Sequence, residues 1–88
     1  MKRVRDYILD STRIINQTLY LPKGAEIISI ENSGSLLTLY VLLDPTEVQD
    51  DLRTFKICTT SQNFFEDNVK FLGTFKSDFG PRHLFEIL

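Results

Sequence analysis

The chain has no tryptophan, one cysteine and one histidine among its 88 residues. Cys58 alone cannot close an intramolecular disulfide, which points to a reducing compartment. With His83 as the single imidazole, the chain cannot assemble the Cys/His set of a structural zinc site, which takes about four ligands at tight spacing. The glycines stand singly at 24, 34, 73 and 80, so no glycine-rich loop is present to cradle a phosphate. The longest apolar run, Leu39 to Leu43, is five residues, against the roughly 20 that span a bilayer. Near the N-terminus Lys2, Arg3, Arg5 and Asp6 interrupt any signal-like apolar core. These shortages predict a soluble, cytoplasmic protein with no metal, no cofactor and no membrane partner.

Basic excess is also lacking. The net charge is −2, whereas nucleic-acid modules carry a basic face, so nucleic acid is not an expected partner. Charge is nonetheless uneven. Lys2, Arg3 and Arg5 open the chain, and Asp44, Glu47, Asp50 and Asp51 crowd one segment. That segment lacks the turn glycine of a calcium-binding loop and contains Pro45. It reads as a polar loop over residues 46–52, either solvated or complementary to a basic partner.

What the chain does have is strand pattern nearly throughout. Ile27, Ile28 and Ile30 are β-branched residues suited to a pleated surface. Residues 32–35, Asn-Ser-Gly-Ser, supply turn chemistry, and residues 36–43 return as a second strand. In that return Leu37, Leu39, Val41 and Leu43 share one face, and Leu36, Thr38, Tyr40 and Leu42 the other. Both faces are mostly apolar, which predicts a central strand covered on both sides, by a second sheet, a helix or another subunit. Further strands are expected over 3–9, 53–60, 69–76 and 82–88, with shorter apolar segments at Ile14-Ile15 and Leu19 to Leu21. Pro22-Lys23-Gly24 and residues 78–81 read as turns, and 61–68 as a loop. The last strand is a candidate sheet edge. The expected fold is all-β: one domain, a small antiparallel sandwich or partly open barrel of six to seven strands. A chain this short buries only roughly 60–65% of its unfolded surface. A second copy would add to that thin core, so a homo-oligomer is expected.

Few residues suggest chemistry. Cys58 and His83 could form a thiolate–imidazolium pair, but a lone cysteine within a strand ordinarily behaves as a small apolar core residue. Gly80-Pro81-Arg82-His83 reads as a functional corner, with Arg82 offering a fork of donors and His83 a donor or acceptor. Arg53 and Thr60 would join them if the strand ends are neighbours. Together Arg53, Thr60, Arg82 and His83 form a candidate anion-binding set. Phe64, Phe65 and Phe79 fall in predicted loops and are candidate partner contacts, alongside Asp44, Glu47, Asp50 and Asp51.

The order of several short segments carries a resemblance. Residues 21–27 read Leu-Pro-Lys-Gly-Ala-Glu-Ile, and 39–45 Leu-Tyr-Val-Leu-Leu-Asp-Pro. Residues 53–57 read Arg-Thr-Phe-Lys-Ile, 71–75 Phe-Leu-Gly-Thr-Phe, and 83–86 His-Leu-Phe-Glu. In this order and spacing the chain resembles a small protein family of tailed bacteriophages and prophage regions. It has Thr59-Thr60 where that pattern has Thr-Gly, and Tyr40 where a tryptophan is common. The resemblance brings no reaction. It implies a virus-encoded accessory protein acting inside the host bacterial cytoplasm.

Joined to the physical reading, this predicts a non-enzymatic binding protein that counters a host defence system by inhibiting a host protein. One alternative is an oligomer that sequesters a small anionic signalling nucleotide through Arg53, Thr60, Arg82 and His83. Another is a structural or oligomerisation module of the phage. Catalysis is disfavoured because no acid–base pair or metal set is evident.

Overall fold

Leu37, Leu39, Val41 and Leu43 alternate with Leu36, Thr38, Tyr40 and Leu42, and the first set is fully buried. Their strand organises the fold. In the computed structural model, which describes residues Met1–Leu88, there are seven strands and no helix. They are β1 (Arg3–Asp10), β2 (Gln17–Pro22), β3 (Glu26–Ser33), β4 (Leu36–Leu43), β5 (Asp50–Thr59), β6 (Val69–Ser77) and β7 (Gly80–Ile87). No helix is long and apolar enough to cross a membrane.

The strands form two antiparallel sheets, β1-β4-β3 (sheet A) and β2-β5-β7-β6 (sheet B). The sheets stack as an open sandwich and do not close into a barrel. The shortest dimension of the molecule, 16 Å, suits two sheets about 10 Å apart with side chains on the outer faces. Between them sit Leu9, Leu37, Leu39, Val41 and Leu43 from sheet A and Leu21, Phe55, Ile57, Phe75 and Leu84 from sheet B. Each such side chain contributes about 1.5–3 kcal/mol through burial.

Two features tie the sheets together at their sides. At the β3–β6 side, Asn32 Nδ2 donates to the Lys76 carbonyl at 3.0 Å. Beside it Gly73 lies under Ile30, where an added Cβ would meet Cδ1 at 2.6 Å. The β6–β7 register shifts between Phe71 and Gly73, which lets the strand pass this close. At the other side the Gln17 side chain accepts from the Asp10 amide at 2.9 Å and donates to the Asp10 carbonyl at 2.8 Å. It thus caps the end of β1 much as a backbone neighbour would.

Several expectations are corrected. Asp50 and Asp51 are not loop residues. They begin β5, paired with Pro22 and Leu21 of β2. The turn before the last strand is only Asp78-Phe79, closed by Ser77 Oγ donating to the Gly80 carbonyl at 2.7 Å. Arg82 and His83 therefore lie inside a strand and not at a corner. That strand, β7, is interior, flanked by β5 and β6. The edges are β1, β3, β2 and β6. Ile14 and Ile15 are exposed loop residues. Finally, β4 is central as expected, but sheet B covers only one of its faces.

Candidate functional site

Alternation along β5 and β7 decides where the four candidate anion-binding residues go. Arg53 and Arg82 share the parity of the core residues Phe55 and Leu84, so both guanidinium groups turn inward. His83 has the opposite parity and faces out. Thr60 follows β5 and comes to His83, whose Nε2 lies 2.8 Å from its Oγ1. The structure therefore joins Thr60 with His83 and leaves Arg53 and Arg82 elsewhere, near opposite ends of the inner face. The four do not line one surface of the chain.

Arg53 already has its anion. Its Nε and Nη2 donate to Glu86 Oε2 and Oε1, both at 2.6 Å, and Nη1 donates to the Ala25 carbonyl at 2.6 Å. The Glu86 hydrogen bond raises the arginine pKa further, with burial opposing it. A fork filled on three nitrogens is a structural element.

Arg82 is different. It is 8% exposed, yet no carboxylate is within ion-pair reach. Nη1 donates to the Ser11 carbonyl at 2.7 Å, Nε has no partner, and the Phe79 ring lies 5.7 Å from Cζ. Ser11 in turn donates to the Gly34 carbonyl, as does Asn32. A buried guanidinium held by one carbonyl and an aromatic face is expensive to keep desolvated.

The outer face of sheet B carries a second constellation. His83 Nδ1 lies 2.9 Å from Thr74 Oγ1 on β6, so the imidazole sits between two hydroxyls. Cys58 is the cross-strand partner of His83. The two are neighbours, but both ring nitrogens are occupied by threonines. Burial raises the Cys58 pKa against a smaller opposing effect of Lys56, so the thiol stays protonated at neutral pH. Part of this face is covered by residues 60–68, which run from the end of β5 to the start of β6. Phe64 packs on Phe85 at 5.4 Å and Glu66 accepts from Lys56 at 3.2 Å.

The candidate partner contacts divide similarly. Phe65 is 97% and Phe79 81% exposed, whereas Phe64 is half-buried. Asp44 and Glu47 accept hydrogen bonds from Thr46 and Gln49 within their own turn. The Thr46 hydrogen bonds hold the Asp44 carboxyl below its ordinary range. Asp50 and Asp51 are exposed on the first residues of β5. No group of three or more His, Cys, Asp or Glu side chains is placed to hold a metal ion.

The outer face of sheet A is the second apolar face that the pattern of residues 36–43 predicts, and the chain itself supplies no second sheet or helix for it. Leu36, Tyr40 and Leu42 run down its centre, with Val4 and Ile8 on β1 and Ile28 on β3 beside them. Val4, Ile8, Ile28 and Leu36 are each about half exposed, and Tyr40 and Leu42 are half-buried. Sheet B lies on the other side of sheet A, against the core residues. Its signal in the sequence is the two-sided apolar pattern of residues 36–43.

Neither a curated protein nor a solved structure gives a significant match to this chain. One family model does match, over residues 1–87, and its description is a domain of unknown function. Since the match spans almost every residue of the sandwich, the chain belongs to the DUF7352 family.

Proposed function

We propose that this chain is a non-catalytic binding module whose partner docks on the outer face of sheet A. One observation carries the reading. A central strand turns Leu36, Tyr40 and Leu42 away from sheet B, flanked by Val4, Ile8 and Ile28; Leu36 and the three flanking residues are about half exposed, and Tyr40 and Leu42 are half-buried between them. Contiguous exposed apolar surface on a small domain marks an interaction site. No pocket opens on it, which suits a macromolecule better than a small ligand. The sequence resemblance supplies a context for this binding. In it, a phage-encoded accessory protein inhibits a host protein in the bacterial cytoplasm and so counters host defence.

A second reading, capture of a small anion, is favoured by the uncompensated Arg82 guanidinium. Its weakness is that Arg53 is taken by Glu86 and His83 faces the other way. The two readings separate in one experiment. The wild-type chain and a Tyr40→Glu variant are immobilised and exposed to bacterial lysate, and in parallel both are melted with cyclic and linear nucleotides. A protein retained by the wild type and lost with Tyr40→Glu supports the docking face. A saturable nucleotide shift that Arg82→Ala removes, with no such protein, transfers the function to Arg82. A partner lost only on changing Phe65 or Asp50 and Asp51 moves the contact off sheet A.

A further inference from the structure

Resting on that reading, we infer that the occupant of sheet A is a basic amphipathic helix, with an apolar stripe flanked on both sides by lysine or arginine. The argument is the charge on the rim. The outward positions of the three strands are Val4, Asp6, Ile8 and Asp10 on β1, then Leu36, Thr38, Tyr40 and Leu42 on β4. On β3 they are Glu26, Ile28, Ser29, Glu31 and Ser33. Asp6 stands opposite Tyr40, Asp10 opposite Leu36, Glu26 opposite Leu42 and Glu31 opposite Thr38. Two carboxylates therefore stand on each side of the apolar column, interleaved with Val4 and Ile8 on β1 and with Ile28 and two serines on β3, and no outward position holds a cation.

None of these carboxylates forms an ion pair within the chain, although the positive charge of Arg13 acts weakly on Asp10. The ion pairs, Arg53–Glu86 and Lys56–Glu66, both belong to sheet B and its covering loop. Arg3 and Arg5 alternate to the opposite side of β1. Lys2 lies beside Asp44, whose pKa it helps to lower. Asp10 is held ionised by hydrogen bonds from the Thr12 hydroxyl and amide.

The same arrangement disfavours a second copy. Stacking two such faces about a two-fold axis along the strands sets β1 over β3, and an axis across the strands sets β1 over β1. Either way the carboxylate-bearing strands meet one another, and like charges juxtaposed across an interface oppose association. A helix fits where a copy does not. Strands about 4.8 Å apart put the two carboxylate-bearing strands roughly 10 Å apart. A helix with its side chains is about 10–12 Å wide, so one laid along β4 brings its flanks over both of them. From Leu36 to Leu42 is about 20 Å of strand, matched by about 13 residues of helix.

The test uses the intact chain and a synthetic probe. A Leu/Lys amphipathic helical peptide of about 18 residues is titrated into isotope-labelled protein, with a Leu/Glu peptide of the same pattern as comparator. Binding of the Leu/Lys peptide is expected to shift the amides of β1, β3 and β4 and to weaken with salt. It should weaken about tenfold or more in an Asp6→Lys/Glu31→Lys variant whose melt matches wild type. Preference for the Leu/Glu peptide on the same strands would overturn the charge inference while leaving the docking face standing. Shifts confined to residues 44–51 or 60–68 would overturn both. A solution dimer that Tyr40→Glu dissociates would give the face to a second copy and overturn the inference.

Discussion

Arg53 and Glu86 meet diagonally across β5 and β7 in a two-toothed pair, Nε to Oε2 and Nη2 to Oε1, both 2.6 Å. The Glu86 side chain is 6% and the Arg53 side chain 19% exposed. The pair sits at the end of the sandwich where the apolar core gives way to the Ala25 carbonyl. Removing one partner strands a desolvated charge, which costs about 3–5 kcal/mol in a fully buried pair. Partial exposure of Arg53 places Glu86→Ala nearer the lower figure, about 3 kcal/mol. The double variant Arg53→Met/Glu86→Leu should recover most of that loss. Urea midpoints of the three chains check it, and a double variant as unstable as the single one would refute it.

Alternation along β4 makes a contrast between neighbouring leucines. Leu39 is wholly buried, and Leu39→Ala should cost about 2–5 kcal/mol through lost burial and a cavity. Leu36 points outward, so Leu36→Thr should change stability by less than about 0.5 kcal/mol. Thermal melts of the two variants read this directly. Equal losses would mean that the outer face is covered in the free protein.

Gly73 is required by approach and not by backbone angle. A Cβ there meets the far end of the Ile30 side chain, at Cδ1 2.6 Å and Cγ1 3.1 Å. The isoleucine terminus can yield to a methyl group, so Gly73→Ala should be mild, whereas Gly73→Val should cost about 1–3 kcal/mol by overpacking the β3–β6 side. An Ile30→Val change added to Gly73→Val should return part of it, as measured by denaturant melts.

Cys58 gives a pH signature. Its folded pKa is raised by burial, so the folded chain holds this proton more tightly than the unfolded chain. Its contribution to stability is full below about pH 8.5, the ordinary thiol value, and is lost as pH rises through that value towards the folded one. Cys58→Ala should flatten the alkaline fall in melting temperature. Alkylation by iodoacetamide at neutral pH should be slow in the folded chain and fast in urea. Rapid labelling of the folded protein would instead indicate an activated thiol.

Local pattern made much of this fold legible. The two-sided alternation of residues 36–43 marked the central strand, and the glycine at position 34, with φ +59°, closed the β3–β4 turn as the hairpin pattern required. Long-range pairing was not legible. Nothing in residues 82–88 says that they sit between β5 and β6, so their sequence suggests a corner at Arg82 and His83, which are mid-strand on opposite faces. Asp50 and Asp51 are strand only because β2 offers Leu21 and Pro22 as ladder partners. The Arg53–Glu86 pair left a trace, since Arg53 and Glu86 hold inward parity among apolar neighbours, and such charges must be paired. The outward side of β4 left its trace too, in Leu36, Tyr40 and Leu42 alternating with the buried residues of the strand.

Hydroxyl-radical footprinting of the chain, alone and with a captured partner, reads the proposed docking on Leu36, Tyr40 and Leu42. Tyr40, Leu42 and Ile28 are expected to lose labelling in the complex while Phe65 and Val48, both almost fully exposed, keep theirs. Protection of Phe65 and Val48 with Tyr40 unchanged would contradict the proposed docking.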